Sequence, residues 1–232
     1  MLDILFKYLR GKKCHLQISP KPKNDRNEIV ILVHGLIRRS VAMSPMGRFL
    51  SRNGFTVYIY DYKTAIKGIA SHGDDLREYL RLIIDENRDM SINLVTHSMG
   101  GILTRYALGE DNGTPPLDIS RIKKIVMLAP PHGGSKVARR FVKYLPFTGR
   151  LLKPLPELSN APDSVIHSAP LIEGPEIGII AGKYDQEVAI KDTRLPGMKE
   201  HYIMRSEHSL MIYMRSIHKA ILRFLTTGKF GG

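Results

Sequence analysis

Six short apolar runs, separated by stretches of helical periodicity, constrain the architecture of this chain more than any other feature of its sequence. Glu28 to Val33 reads Glu-Ile-Val-Ile-Leu-Val, and similar runs span Phe55–Tyr60, Ile92–Val95, Ile122–Leu128, Glu176–Ala181 and Glu200–Met204. A continuous run, rather than an alternating one, marks a strand buried on both faces of a parallel sheet. Between the runs lie amphipathic stretches: Met43, Met46, Phe49 and Leu50, stopped by Asn53-Gly54; Leu76, Tyr79, Leu80, Ile83 and Ile84 within Asp74–Asn87; and a final helix over Leu210–Leu225. Strands alternating with helices predict an α/β fold, a mostly parallel sheet of about six strands with helices on both faces. Ligand chemistry in such folds gathers at the carboxyl ends of the strands. His34, Ser98, His132, Asp185 and His208 all fall at such ends.

Within this frame the stretch from Ile92 to Leu103 is the sharpest signal. Its apolar run stops at Thr96-His97-Ser98-Met99-Gly100-Gly101 and resumes at helical spacing with Ile102, Leu103, Tyr106 and Ala107. That pattern reads as strand, one tight turn and helix, with a serine at the turn. Such a turn strains its central residue and lifts the side chain clear of the sheet. It also crowds the positions two before and two after the serine. Gly100 suits that crowding, and Thr96 stands where glycine is usual. A serine hydroxyl needs a base to become a nucleophile, and a helix N-terminus favours the negative charge that develops. The alternative reading is a serine N-cap on an ordinary helix; the preceding strand and the doubled glycine favour the nucleophile.

At 232 residues the chain is long enough for one domain, or one domain with an insertion, and a large core. A single cysteine, Cys14, forms no internal disulfide. The opening Met1–Arg10 is broken by Asp3 and Lys7 and lacks the marks of a signal peptide, and no apolar run reaches the 18 residues of a membrane span. A soluble, cytoplasmic protein is the expectation; a short amphipathic N-terminal helix touching a membrane is the alternative to one packed on the domain. The net charge of +13 fits nucleic acid, an anionic membrane surface or an acidic substrate. The absence of Trp and of an aromatic–Gly RNA-binding signature counts against nucleic acid.

The interval from Ser135 to Pro175 breaks the rhythm. It shows no clear strand, is punctuated by Pro146, Pro154, Pro156, Pro162 and Pro170, and lies at the same end of the sheet. An insertion there would overhang Ser98 as a lid. Lys136, Arg139, Arg140, Lys143, Arg150 and Lys153 interleave with Phe141, Val142, Tyr144, Leu145, Phe147, Leu151 and Leu152. A basic segment with an apolar face suits an anionic membrane surface; a solvated helix covering the core is the other reading.

A nucleophilic serine requires a histidine oriented by a carboxylate. His208, between the last strand and the last helix, has the best position, and Asp185 follows the fifth strand, with Glu187 and Asp192 in reserve and Asp163 too early in the chain. The order Ser98, Asp185, His208 is that of one fold in particular. From Ile29 to Phe224 the chain resembles the α/β-hydrolases, close to bacterial lipase- and esterase-like members with a Thr-His-Ser-Met-Gly-Gly elbow. The resemblance rests on Val33-His34-Gly35-Leu36, the elbow, Met127-Leu128-Ala129-Pro130-Pro131, Ile179-Ile180-Ala181-Gly182 and the His208 loop. It implies Ser98 as nucleophile, His208 as general base, Asp185 as orienting acid, and an oxyanion hole from the backbone N–H groups of Leu36 and Met99. It also implies a hydrolase domain over 28–232, with an N-terminal segment over 1–27 and a lid-like insertion over about 136–175.

The remaining histidines divide by position. His34 braces the oxyanion loop in this fold, and His34 and His132 are candidates to line the substrate pocket. His97 flanks the nucleophile and reads as scaffold. No H-E-x-x-H or Cys/His cluster is present, so no metal is predicted. No G-x-G-x-x-G follows a strand, so no nucleotide cofactor is predicted either. The expected activity is hydrolysis of a carboxylic acyl ester, lipase- or esterase-like, through an acyl-enzyme. The alternatives are an acyltransferase or thioesterase on the same triad, and a non-catalytic binding protein on this fold.

Overall fold

The apolar runs assemble into one seven-stranded sheet in the computed structural model, which describes residues 15–20, 25–109, 117–144, 152–162 and 164–231. Met1–Arg10, Cys14, Asp163 and, from the insertion, Leu145, Phe147, Arg150 and Leu151 lie outside the described residues. The strands are β1 (Leu16–Ile18), β2 (Glu28–Val33), β3 (Thr56–Tyr60), β4 (Ser91–His97), β5 (Ile122–Leu128), β6 (Glu176–Gly182) and β7 (Glu200–Met204). Their spatial order is β1-β3-β2-β4-β5-β6-β7, parallel throughout except for β1, which runs antiparallel along β3. The six sequence-predicted strands are all present. β1 is the addition: at three residues it is too short for a periodicity signal, and it draws Leu16–Ile18, sequence-assigned to the N-terminal segment, onto the sheet edge.

Strand alternation sorts the core into two halves. On β2, Ile29, Ile31 and Val33 face α2 (Ile69–Glu86) and α3 (Met99–Leu108), meeting Leu76, Leu80 and Leu103. Val30 and Leu32 face the other way, toward α1 (Ser44–Arg52) and α6 (Arg215–Thr227), meeting Met46, Leu50, Ile221 and Phe224. Each such side chain taken fully out of water contributes roughly 1.5–3 kcal/mol. Two-sided burial explains why these strands read as unbroken apolar runs.

The connection order positions the site. β3 lies on one side of β2 and β4 on the other, so the chain reverses direction across the sheet between β2 and β4. The loop after β2 and the turn after β4 therefore face each other across the crevice where this class of sheet binds ligands. Two helix boundaries differ from the sequence expectation. α2 begins at Ile69 rather than near Asp74, because the Glu157 carboxylate accepts the Ile69 N–H at 2.5 Å and caps the helix from a distant segment. α6 begins at Arg215 rather than Leu210, since 208–213 form turns that drive Met211 and Ile212 into the core. The insertion contains α4 (Lys136–Tyr144), α5 (Pro154–Glu157) and a 3-10 turn at Val165–His167.

Candidate active site

Ser98 stands at the end of β4 and caps α3 with φ +52° and ψ −124°, a region that a residue with a side chain occupies only under constraint. The constraint is visible on every side. The Ser98 N–H donates to the Leu128 carbonyl at 2.8 Å, and the Ser98 carbonyl accepts from Gly101 N–H at 2.9 Å. Gly100 packs against β2 so closely that a Cβ there would lie 2.8 Å from the Val33 carbonyl oxygen. At Gly101 a Cβ would lie 2.8 Å from Pro130 Cβ. The doubled glycine thus answers two separate close approaches. Thr96 is fully buried in place of the usual glycine, with Oγ1 free of partners among the described residues.

His208 and Asp185 meet at the same end of the sheet. The turn after β6 carries Asp185, whose side chain is 0% exposed, and its Oδ2 lies 2.7 Å from His208 Nδ1. Asp185 Oδ1 accepts the N–H groups of Glu187 at 2.8 Å and Val188 at 2.9 Å, which fixes the carboxylate plane. An ionised carboxylate only accepts, so Nδ1 carries the proton and Nε2 presents its lone pair. Of the reserve acids, Glu187 is half exposed and stands 3.7 Å from Nε2, the other ring nitrogen, while Asp192 packs at Gly133.

Both Ser98 and His208 line one cleft of about 380 Å³. Its apolar wall comes from the insertion, with Val137, Ala138 and Phe141 on α4 and Leu155 and Leu158 at α5. No hydrogen bond joins Ser98 Oγ to His208 Nε2 among the described residues; such bonds tighten when substrate arrives. His97 packs against His208: its Nε2–H donates to the His208 carbonyl at 3.0 Å, and the two rings sit 4.9 Å apart. Burial, and secondarily the neighbouring His208 ring, lower the His97 pKa to about 3, so this imidazole is neutral.

The loop after β2 supplies the opposite rim. Leu36 and Ile37 line the cleft, and Ile37 has φ +55°, a second strained residue at the site. Its N–H donates to Thr64 Oγ1 at 3.1 Å. Arg39 clamps the loop through Asp61, which is buried and also accepts the Ser40 N–H at 2.8 Å. The N–H groups of Leu36 and Met99, the latter at the first position of α3, have no acceptor among the described residues.

His34 and His132, the two sequence candidates for the pocket, are both buried outside the cleft wall. His34 Nδ1–H donates to the Gly35 carbonyl at 3.0 Å and its ring stacks on Tyr62 at 4.3 Å, so it braces the loop after β2. His132 lies 3.4 Å from Arg105, and burial followed by the Arg105 charge lowers its pKa to about 3. Arg105 in turn holds the carbonyls of Ile166, Ala169 and Pro170, tying α3 to the insertion. Sequence reading missed the Arg39–Asp61 clamp and the Arg105 strut, since neither pairing has a local signature. Among the described residues no group of three His, Cys, Asp or Glu side chains is arranged to hold a metal ion.

Comparison with known proteins adds the family. A family profile described as serine aminopeptidase, S33, matches residues 24–173, more than half of the chain. The chain belongs to this family of α/β-hydrolases. The S33-type hydrolase described here has the same fold as the mature lipase of Bacillus licheniformis, at a TM-score of 0.70 and 17% identity over 93% of this chain and 98% of that one. A soluble variant of monoglyceride lipase from Saccharomyces cerevisiae superposes at 0.67, with 13% identity over 93% and 90%. A thermophilic esterase from Thermogutta terrifontis superposes at 0.61, with 16% identity over 94% and 87%. No curated protein matches the chain significantly. Among the described residues no helix is long and apolar enough to cross a membrane.

Proposed function

We propose that this hydrolase cleaves carboxylic acyl esters through a Ser98–His208–Asp185 triad. The observation that carries the reading is the strained Ser98 facing, in one cleft, an imidazole whose far nitrogen is held by a buried carboxylate at 2.7 Å. Ser98 Oγ attacks the ester carbonyl carbon as its proton passes to His208 Nε2. The carbonyl oxygen, now an oxyanion, takes hydrogen bonds from the N–H groups of Leu36 and Met99, each such donor being worth about 2.7–4 kcal/mol. Collapse of the tetrahedral species breaks the C–O bond, and the Nε2 proton leaves with the alcohol. Water then repeats the sequence on the acyl-enzyme, delivering a proton to Nε2 and releasing the acid.

The apolar wall formed by α4 and α5 supports an acyl chain lying beneath the insertion, which serves as the lid. Away from the cleft α4 presents Lys136, Arg139, Arg140 and Lys143 from one stripe, with Tyr144 beside them 70% exposed. That combination supports association with an anionic membrane surface. Turnover of p-nitrophenyl esters of graded chain length tests the activity: wild type is expected to hydrolyse them and Ser98→Ala to lose at least 10³-fold in kcat/KM. Unchanged turnover in Ser98→Ala would remove the triad. Because the family description names an aminopeptidase, amino-acid p-nitroanilides belong in the same assay. Faster turnover of an anilide than of any ester would reassign the reaction to amide hydrolysis.

A further inference from the structure

Beside the cleft, and continuous with it through Ile37 and Arg38, runs a second groove of about 590 Å³. Its walls are the loop after β2 (Arg38, Arg39, Val41), the loop after β3 (Lys63, Thr64) and Tyr213 from the turns that follow His208. The groove is held open by fixed contacts. Arg39 is bound to Asp61, Ile37 N–H to Thr64 Oγ1, and the Ala65 carbonyl accepts the Lys153 N–H of the insertion at 3.1 Å.

The charge in this groove is unbalanced. Asp61, its nearest carboxylate, is 0% exposed and committed to Arg39 and the Ser40 N–H. Arg38 and Lys63 have no acidic partner among the described residues. Thr64 accepts from Ile37, so its hydroxyl proton remains to donate, and Tyr213 adds a second hydroxyl. The groove is therefore rich in donors, with two cations beside a neutralised pair. The Arg38 charge also reaches the site itself, where it helps hold His97 neutral. On the other side of Ser98 the wall is apolar, with Glu187 beside His208 as the carboxylate. A guanidinium and an ammonium lining one solvent-open groove suit a phosphate or carboxylate group.

We infer that the preferred ester carries an oxyanion, a phosphate or a carboxylate, on its alcohol arm, seated between Arg38 and Lys63, with its apolar acyl arm under α4. The inference rests on the hydrolase reading above. The alcohol arm is assigned to this groove because the apolar wall of α4 and α5, on the other side of the cleft, takes the acyl arm in the reading above, and the groove meets the cleft at Ile37 and Arg38. The substrate then spans both walls, which makes it an amphiphile with one anionic end.

The test compares kcat/KM for 4-butyryloxyphenyl phosphate and 4-butyryloxybenzoate, each against neutral phenyl butyrate, in wild type and in Arg38→Ala and Lys63→Ala. The wild-type anionic-to-neutral ratio is expected to be at least tenfold higher than in either variant for one or both anions. Which anion shows the effect distinguishes phosphate from carboxylate recognition. Arg139→Ala, on the outer face of α4, is expected to keep the wild-type ratio. A ratio indifferent to Arg38 and Lys63, or one lowered equally by Arg139→Ala, overturns the inference, the latter because it reports net charge rather than a site. If no ester is turned over, the hydrolase reading fails separately, and binding decides: folded Ser98→Ala protein is expected to bind phenyl phosphate or benzoate at least tenfold more tightly than Ser98→Ala/Arg38→Ala does. Equal binding overturns the inference.

Discussion

At Ser98 the backbone strain and the surrounding packing are two sides of one requirement. The turn holds the hydroxyl out into the cleft only because Gly100 lets the start of α3 press against the Val33 carbonyl and because Leu128 and Gly101 pin the serine backbone. The His208 imidazole, the proposed base, is set with similar economy. Asp185 holds Nδ1 of His208, and substituting Asp185 by Asn leaves shape nearly unchanged while altering the tautomer. The two backbone donors would keep the amide oxygen, leaving an NH₂ group toward Nδ1. The imidazole would then keep its proton on Nε2 and present no base to Ser98. Asp185→Asn is expected to lower kcat by about 10²–10⁴-fold with little change in melting temperature. Steady-state kinetics beside a thermal melt would check this, and a kcat within a few-fold of wild type would argue that another acid orients His208. That Ser98 and His208 come to one end of the sheet was legible from sequence because each sits in a local strand-to-loop pattern. The bracing role of His34 was implied by the resemblance, but for a pocket role of His34 or His132 the sequence held no sign of which way the ring turns. The His34 ring braces the loop after β2, while His132 turns Nδ1 toward Arg105 and leaves Nε2 without a partner among the described residues.

Among the elements, α2 and α4 show where local signals stop. Gly73 looks like a helix breaker, yet it lies inside α2 because a Cβ there would fall 2.4 Å from Tyr106 Cβ on α3. The same helix owes its first turn to Glu157, 88 residues away. No window of sequence contains either fact. The amphipathicity of α4, by contrast, is written in its spacing, with Lys136, Arg139, Arg140 and Lys143 recurring at three and four residues. If that stripe docks on lipid, vesicles containing phosphatidylglycerol should sediment the protein at low salt. Each basic residue of α4 removed should weaken binding roughly fivefold, from about 1 kcal/mol per charge near an anionic surface. Equal sedimentation of wild type and an Arg139→Ala/Lys143→Ala double variant would show that α4 does not contact the bilayer.

For the molecule as a whole, six of the strands were legible in the apolar runs, and β1 was not, because it is a three-residue edge strand whose partner, β3, lies far along the chain. Two buried imidazoles also couple the fold to pH. His97 and His132 are held neutral in the folded protein, with pKa values lowered to about 3 by burial. In the unfolded chain a histidine takes up its proton near pH 6.5. Below that pH the unfolded state binds protons the folded state refuses, so stability falls as pH drops from about 6.5 toward 3. The slope is up to about 1.4 kcal/mol per pH unit for each group. Urea midpoints at pH 7, 6 and 5 should fall steadily for wild type and less steeply for His97→Gln or His132→Gln. Identical slopes in all three proteins would show that neither ring is the source.

The central claim, that Ser98 is an activated nucleophile, is tested most directly by mapping the adduct of a fluorophosphonate. Intact-mass analysis of folded wild type should show a single phosphonyl group, located by peptide mapping on Ser98, and Ser98→Ala should show none. A folded wild type that takes up no label, or takes it up at a different serine, would contradict the assignment.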